Sequence, residues 1–274
     1  MRLEPVNHPD DPRIEPYRAV RERDLTGRAG LFVAEGRVVL EKALRACPER
    51  LVSALISDRK LPGLSDLLAA WPEAAPVYVA TPEVMDAVVG FPIHRGVLAV
   101  GRRAEASATA LLAALPPRAL VVGLSGIANH DNMGGLFRNA AAFGADAVLL
   151  DAGCCDPLYR KAIRVSVGAA LTVPFARVGP ADELAARLAD AGLEALALTP
   201  RGESRLAEIT PGPRMAVLFG AEGPGLPEAV LQRSRTVRID MAGDFDSLNV
   251  ATTSGIVLHQ LASARMSGGP PRRV

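Results

Sequence analysis

Short apolar runs alternate with helical patterns throughout the second half of the chain, and this alternation is the strongest constraint on the fold. The runs predict strands near residues 119–124, 147–150, 194–198, 215–219 and 236–239. The connections between most of these strands are long enough to hold helices. Such alternation is typical of a mostly parallel sheet covered on both faces, so the sequence predicts an α/β fold.

The first half of the chain contains a smaller alternating pattern. A strand near 31–34 leads into a helix, and further strands near 51–56, 77–80 and 97–100 are separated by helical stretches. Prolines and charges before residue 30 indicate an extended or partly helical arm, most simply a solvated one. The predicted organisation is an arm at 1–30, a small α/β domain at 31–103, a linker at 104–118, a larger domain at 119–265 and a flexible tail at 266–274.

Composition limits the classes of protein that remain. Hydrophobic residues make up 49% of the chain and charged residues 22%, which is typical of a globular protein with a sizeable core. The net charge of +1 argues against a strongly basic, non-specific nucleic-acid binder. Nearly all basic residues are arginines, whose planar donor groups suit phosphate recognition, so an RNA partner remains open.

Cysteine and histidine usage gives a further expectation about compartment and metals. The odd set Cys47, Cys154 and Cys155 has no metal spacing and points to a reducing compartment. The scattered histidines also lack ligand spacing, so no metal is expected. No apolar stretch reaches the length of a membrane span, and we expect a cytosolic protein.

The stretch 129–144 follows a predicted strand and leads through a glycine-containing turn into a predicted helix, and such junctions are where α/β proteins hold ligands. It lacks the dinucleotide fingerprint and the phosphate-loop Gly-Lys-Ser/Thr, which argues against a nucleotide-dependent dehydrogenase. Arg138, one turn into the helix, is either a surface side chain or one aimed at an anion. Asn132 could cap that helix, or could belong to a site.

Two later loops also follow predicted strands, at 218–226 and 239–250. Glycines at strand ends let the backbone approach a ligand closely, because no Cβ stands in the way. Glu222 is either a solvated carboxylate or a group that ties its loop to the first one by accepting a hydrogen bond from Asn132 or a backbone amide. Ser247 occupies a plausible N-cap of the last helix, predicted at 248–265, and Asn249 would lie in its first turn.

Taken together, the three loops resemble the motifs of the SpoU/TrmH family of RNA ribose methyltransferases, within the SPOUT superfamily. The resemblance covers residues 119 to 262, with the motifs in the family order. The segment 156–169, Asp-Pro-Leu-Tyr-Arg-Lys-Ala-Ile-Arg-Val-Ser-Val-Gly-Ala, is also similar to the family. The first half is more loosely similar to the L30e-type substrate-binding domain of many members, through residues 32–36 and 96–100.

The resemblance implies S-adenosylmethionine as methyl donor and a ribose 2′-hydroxyl in structured RNA as acceptor. It also implies a C-terminal α/β trefoil-knot domain with a parallel sheet, preceded by a smaller L30e-like α/β domain, and a homodimer formed through helices of the knotted domain. The residues that would bind the cofactor are Leu198, Thr199, Gly220, Ile239, Leu248 and Val250.

Catalysis would fall to a second group of residues, which the resemblance implies are Arg138, Asn132, Glu222, Ser247 and Asn249. Methyl transfer from a sulfonium is an in-line displacement, and the weakly acidic hydroxyl must lose its proton. Since a guanidinium keeps its proton above roughly pH 12, Arg138 fits better as a group that positions phosphate or stabilises the developing alkoxide than as a base.

The RNA itself is less well defined by the sequence. Lys161 and Arg164 either contact RNA phosphates or form a solvated basic face. Many family members have Asp-Pro shortly before the motif asparagine, whereas this chain has Asn129-His130-Asp131, so the entry to this loop differs. The expected function is 2′-O-methylation of ribosomal RNA. The alternatives are a tRNA ribose methyltransferase and a non-catalytic RNA-binding or ribosome-assembly factor, although the intact motifs argue against the last.

Overall fold

The computed structural model describes residues 2–18, 30–104, 106–242 and 247–266. The chain forms two compact units, one built from Met1–Ala104 with Asp156–Thr172 and the other from Glu105–Cys155 with Val173–Val274. The break at residue 104 coincides with the start of the predicted linker. The segment Asp156–Thr172, however, was assigned to the larger domain from sequence and packs within the first unit instead.

The strands and helices alternate along both units. The strands are β1 (Leu3–Pro5), β2 (Leu31–Glu35), β3 (Leu51–Ser57), β4 (Val77–Ala80), β5 (Val97–Arg102), β6 (Ala119–Leu124), β7 (Ala147–Leu150), β8 (Phe175–Arg177), β9 (Glu194–Leu198), β10 (Ser204–Arg205), β11 (Arg214–Phe219) and β12 (Arg235–Arg238). The α-helices are α1 (Arg37–Ala46), α2 (Ser65–Ala69), α3 (Pro82–Val89), α4 (Ala108–Ala113), α5 (His130–Ala142), α6 (Arg160–Val165), α7 (Ala169–Thr172), α8 (Ala181–Asp190), α9 (Glu228–Leu231) and α10 (Val250–Met266). None of the described helices is both long and apolar enough to cross a bilayer.

The first unit contains a mixed sheet with the strand order β1-β4-β3-β5-β2. Strand β4 is parallel to β1 and β3, whereas β5 is antiparallel to β2 and β3. Short 3-10 helices at Pro12–Tyr17, Pro48–Arg50 and Leu61–Leu64 complete the connections.

The residues before position 18 are part of this unit, so the interpretation as a solvated arm is wrong for them. Strand β1 pairs with β4, and the side chains of Ile14 and Tyr17 are fully buried. Tyr17 shares a 2.7 Å hydrogen bond with the buried Ser53, and burial raises the pKa of its hydroxyl. Burial of the apolar side chains of Val6, Ile14 and Tyr17 attaches this segment to the unit, while the charged side chains around them remain at least partly exposed. Residues 19–29 of the predicted arm and residues 267–274 of the predicted tail lie outside the described residues.

Two ion pairs attach the segment Asp156–Thr172 to the rest of the first unit. Arg103 pairs with Asp156, and Arg160 on α6 lies 2.7 Å from the carboxylate of Glu35 at the end of β2. The side chains of Glu35 and Arg160 are only 7% and 12% exposed. Because water solvates neither charge well, burying one without the other would be strongly destabilising. The guanidinium of Arg160 also lies over the ring of Phe91, 5.0 Å from its centroid.

The second unit contains a fully parallel sheet with the order β10-β12-β9-β11-β6-β7-β8. Strand β6, which lies between β11 and β7, is buried at every position, as the uninterrupted apolar run predicts. The strands β8 and β10 were not predicted, because they are edge strands of only three and two residues and contain no apolar run. In the register, Phe219 pairs with Leu124 and Val237 with Leu198, so the carboxyl ends of β6, β9, β11 and β12 lie along one edge.

Candidate active site

A cavity of about 400 Å³ lies at this carboxyl edge of the second unit. Its walls are the loops after β9, β11 and β12 and the first turn of α10. The lining residues are Leu198, Thr199, Pro200, Phe219, Gly220, Ala221, Glu222, Gly223, Gly225, Val237, Ile239, Met241, Ser247, Leu248, Asn249, Val250 and Thr253. All six residues predicted to bind the cofactor are among them. The volume and the mixture of apolar side chains, hydroxyls and bare glycine backbone suit a small organic ligand.

The loop after β11 doubles back tightly at Gly220. A Cβ at this position would lie 2.5 Å from the carbonyl oxygen of Gly225, so only glycine fits. The amide of Gly225 donates to the carbonyl of Ala221 at 3.0 Å, and Gly223 and Gly225 adopt positive φ angles of 88° and 72°. The glycines of this motif therefore shape the cavity wall through backbone geometry.

The loops after β9 and β12 are joined to each other beside the cavity. The amide of Thr199 donates to the carbonyl of Val237 at 3.0 Å. Arg205 donates to Asp240 at 2.6 Å, and Arg238 lies 3.4 Å from the same carboxylate. The hydrogen bond from Arg205 lowers the pKa of Asp240, so this carboxylate stays charged at neutral pH. Asp240 stands directly before Met241, which lines the cavity.

A hydrogen-bonded network of Asn132, Glu222 and Asn249 connects the three sequence motifs. The amide of Asn132 donates to Oε1 of Glu222 at 2.8 Å, which confirms the predicted tie between their loops. The amide of Asn249 donates to Oδ1 of Asn132 at 2.9 Å and to the same Glu222 oxygen at 3.1 Å. One carboxylate thus receives two amide donors and fixes the relative positions of the first turns of α5 and α10.

The helix caps differ from those predicted. Asn129, not Asn132, caps α5, since its side chain accepts from the amide of Asp131 at 2.7 Å. Asn249, not Ser247, caps α10, accepting from the amides of Ala251 and Thr252 at 3.0 and 3.3 Å. The N-cap of α10 therefore lies two residues later in the chain than predicted, because α10 begins at Val250. Asn249 combines this capping with its bonds to the network.

The predicted cationic residues lie outside the cavity wall. Arg138 is exposed on α5 and makes no hydrogen bond or ion pair with any residue that the structure describes. Lys161 and Arg164 lie on α6, in the first unit, and neither is among the residues that line the cavity. The exposed side chain of Lys161 and the half-buried one of Arg164 are compatible with either predicted role.

Several residues at the site were not identified from sequence. Thr253 lines the cavity one helical turn after Asn249, and the spacing of four could have indicated it. Asn139 follows Arg138 and donates to the carbonyl of Ala251 at 2.7 Å and to Oγ of Ser254 at 2.8 Å. Asp151 is buried and accepts from the hydroxyl of Ser125 at 2.7 Å, which holds the loop that leads into α5. The roles of Asn139 and Asp151 depend on contacts between distant segments of the chain, which no local sequence pattern shows.

Comparison with known proteins identifies the family. A model of the SpoU rRNA methylase family matches residues 119–259, about half of the chain. An uncharacterized tRNA/rRNA methyltransferase of Mycobacterium bovis is 40% identical over 98% of this chain and 94% of its own length. This chain belongs to the SpoU rRNA methylase family.

Solved structures extend the similarity of this SpoU methylase beyond the matched region. An AdoMet-bound rRNA methyltransferase from Sinorhizobium meliloti superimposes with a TM-score of 0.81 at 22% identity, over 97% of this chain and 98% of its own. An RNA 2′-O ribose methyltransferase superimposes with a TM-score of 0.79 at 26% identity, over 96% and 100%. The predicted family and fold class are confirmed. The chain is an RNA methyltransferase of the SpoU family.

Proposed function

We propose that this SpoU methylase transfers a methyl group from S-adenosylmethionine to the 2′-hydroxyl of a ribose in ribosomal RNA. The observation that supports this most directly is the network of Asn132, Glu222 and Asn249 beside the cavity. It holds α5, which carries Arg138, against the loop that carries Glu222 and the helix whose first turn lines the cavity. An acceptor site on α5 and a donor site in the cavity are thereby joined.

The cavity fits the cofactor in size and chemistry. When bound, S-adenosylmethionine supplies an electrophilic methyl group on a sulfonium, which an oxygen nucleophile can displace in line. Backbone groups of Gly220, Ile239 and Leu248 would hold it, since the tight turn at Gly220 leaves the wall free of side-chain atoms there. Leu198, Thr199 and Val250 complete the proposed cofactor site.

Arg138 is proposed to act on the acceptor. Its guanidinium is exposed and has no partner among the described residues, so its donors remain available for an RNA phosphate or for the oxygen that loses its proton. Such a donor stabilises the developing alkoxide without giving up its own proton. Asn132, Glu222 and Asn249 would hold the acceptor loop, and Ser247 would complete the site at the cavity wall.

The first unit is proposed to recruit the RNA, with Lys161 and Arg164 contacting phosphates. A separate unit of this size favours a large, structured substrate such as ribosomal RNA, and the reaction would take place in the cytoplasm. The second candidate is a tRNA ribose methyltransferase, which the name of the M. bovis relative leaves open. We also propose a homodimer through helices of the second unit, to be tested by light scattering of the purified protein.

The acceptor atom can be tested by alkaline hydrolysis. Ribosomal RNA and, in a separate reaction, tRNA from cells lacking the protein are incubated with the purified full chain and S-adenosylmethionine labelled in its methyl group. Ribose 2′-O-methylation removes the hydroxyl that attacks the neighbouring phosphodiester, so the label should be found in alkali-resistant dinucleotides. Label in mononucleotides would show methylation of a base and contradict the proposal. Label in tRNA but not in ribosomal RNA would favour the second candidate.

A further inference from the structure

Helices α5 and α10 pack against each other with little space between their backbones. A Cβ at Gly135 would lie 2.6 Å from the Cβ of Ala251, so this position on α5 accepts only glycine. One turn along, a Cβ at Gly255 would lie 3.4 Å from Nδ2 of Asn139. Further along, the rings of Phe143 and His259 meet edge to face, with centroids 5.7 Å apart. Gly135, Asn139 and the C-cap residue Phe143 therefore form one stripe along α5 that faces α10.

Asn139 provides a side-chain hydrogen bond across this helix pair. Its amide donates to the main-chain carbonyl of Ala251 at 2.7 Å and to the hydroxyl oxygen of Ser254 at 2.8 Å. Ser254 is completely buried and donates its own proton to the Ala251 carbonyl at 2.8 Å. Both donors of the amide are thus used on one turn of α10, so Asn139 fixes the rotation of α5 as well as its distance from α10.

This attachment lies next to both halves of the proposed active site. On α5, Asn139 is adjacent to Arg138, whose side chain contacts no partner among the described residues and so depends on its helix for position. On α10, Ala251 follows Val250, and both Val250 and Thr253 line the cavity. A small rotation of α5 near Asn139 would move Arg138 relative to the cavity, whose lining residues all belong to other elements.

We infer that Asn139 is a positioning residue for Arg138, acting through its double hydrogen bond to α10. The inference rests on the proposed function, because it concerns the geometry between the methyl donor and the acceptor side. Errors of about 1 Å in the placement of a reacting group can lower a rate by roughly 100-fold. Loss of the amide should therefore lower kcat and leave cofactor binding intact.

The test uses Asn139→Asp, which keeps the shape but removes both donors, and Asn139→Ala, which removes the polar group. In the full chain, each should lower kcat by roughly 10- to 100-fold, with the calorimetric Kd for S-adenosylmethionine within about 2-fold of the wild type. Ser254→Ala is the matched variant, since it removes one acceptor and leaves the Ala251 carbonyl, and it should have a smaller effect. Unchanged kcat in both Asn139 variants, or cofactor binding lost together with activity, would overturn the inference.

A double-mutant comparison separates positioning from packing. If Asn139 acts through Arg138, Asn139→Ala should change single-turnover rates much less in an Arg138→Lys background than in the wild type. Equal losses in the two backgrounds would show that Asn139 acts independently of Arg138, against the inference. Full activity of Arg138→Ala would instead contradict the proposed function. The experiments therefore distinguish failure of the inference about Asn139 from failure of the proposed function.

Discussion

Replacing Gly220 by alanine should weaken binding of S-adenosylmethionine. The added Cβ would lie 2.5 Å from the carbonyl oxygen of Gly225, whereas uncharged atoms approach to roughly 3.5 Å, so the loop must move by about 1 Å. The obstacle is backbone and cannot rotate away. In the free protein the loop can relax outward, but the bound cofactor requires the original wall, so the strain appears in the binding free energy.

Inserting a methyl group into a closely packed site costs about 1–3 kcal/mol, which corresponds to a rise in Kd of roughly 5- to 150-fold. Isothermal calorimetry of the full chain measures this directly. Gly212→Ala is the control, because it makes the same chemical change before the other end of β11, where the nearest atoms to a Cβ lie at 3.6 and 3.9 Å. It should leave Kd unchanged. A Gly220→Ala protein with wild-type Kd would refute the assignment of this turn as a wall of the cofactor site.

Three further outcomes are expected. Arg138→Ala should lower methyl transfer by at least about 100-fold, with Kd for S-adenosylmethionine retained, since Arg138 does not line the cavity; substantial turnover would exclude its role. Asp240→Asn should raise that Kd, because Arg205 loses its nearest charged partner beside the cavity. Since the pKa of Asp240 is lowered, the affinity of the wild type should stay constant from pH 8 to 6 and fall only below the ordinary carboxyl pKa of about 4. An unchanged Kd in Asp240→Asn would contradict this role of Asp240. Burial raises the pKa of Cys154 to about 12, so its thiol should react with a disulfide reagent far more slowly than the thiol of the half-buried Cys155. Mass spectrometry of the modified protein measures the two rates, and equal rates would contradict the burial of Cys154.

The parts of the fold that were predictable from sequence are those determined locally. Buried parallel strands produce uninterrupted apolar runs, so β6, β7, β9, β11 and β12 were identified within one or two residues. The predicted cavity residues came from the resemblance to the SpoU/TrmH family, and they lie together because strand ends in one sheet meet at one edge. Their roles in binding and catalysis remain predictions.

The features that were missed depend on distant parts of the chain. The amide of Asn139 meets Ala251, which lies 112 residues away, and nothing near Asn139 indicates that partner. The same is true of Glu35 and Arg160, whose pairing draws a segment of the family match into the first unit. Cap positions were shifted because Ser and Asn both suit an N-cap, and only the start of α10 at Val250 decides between Ser247 and Asn249.

The discontinuous first unit has a consequence for biosynthesis. Domains usually fold in order as they leave the ribosome, the N-terminal one first. Here the carboxylate of Glu35 is buried, and its partner Arg160 is translated only after residues 105–155 of the other unit. A nascent chain that ends at Ala104 therefore holds an unmatched charge in an unfinished core. The proposed RNA-recruiting unit can therefore reach its final form only after the chain has been made as far as Thr172.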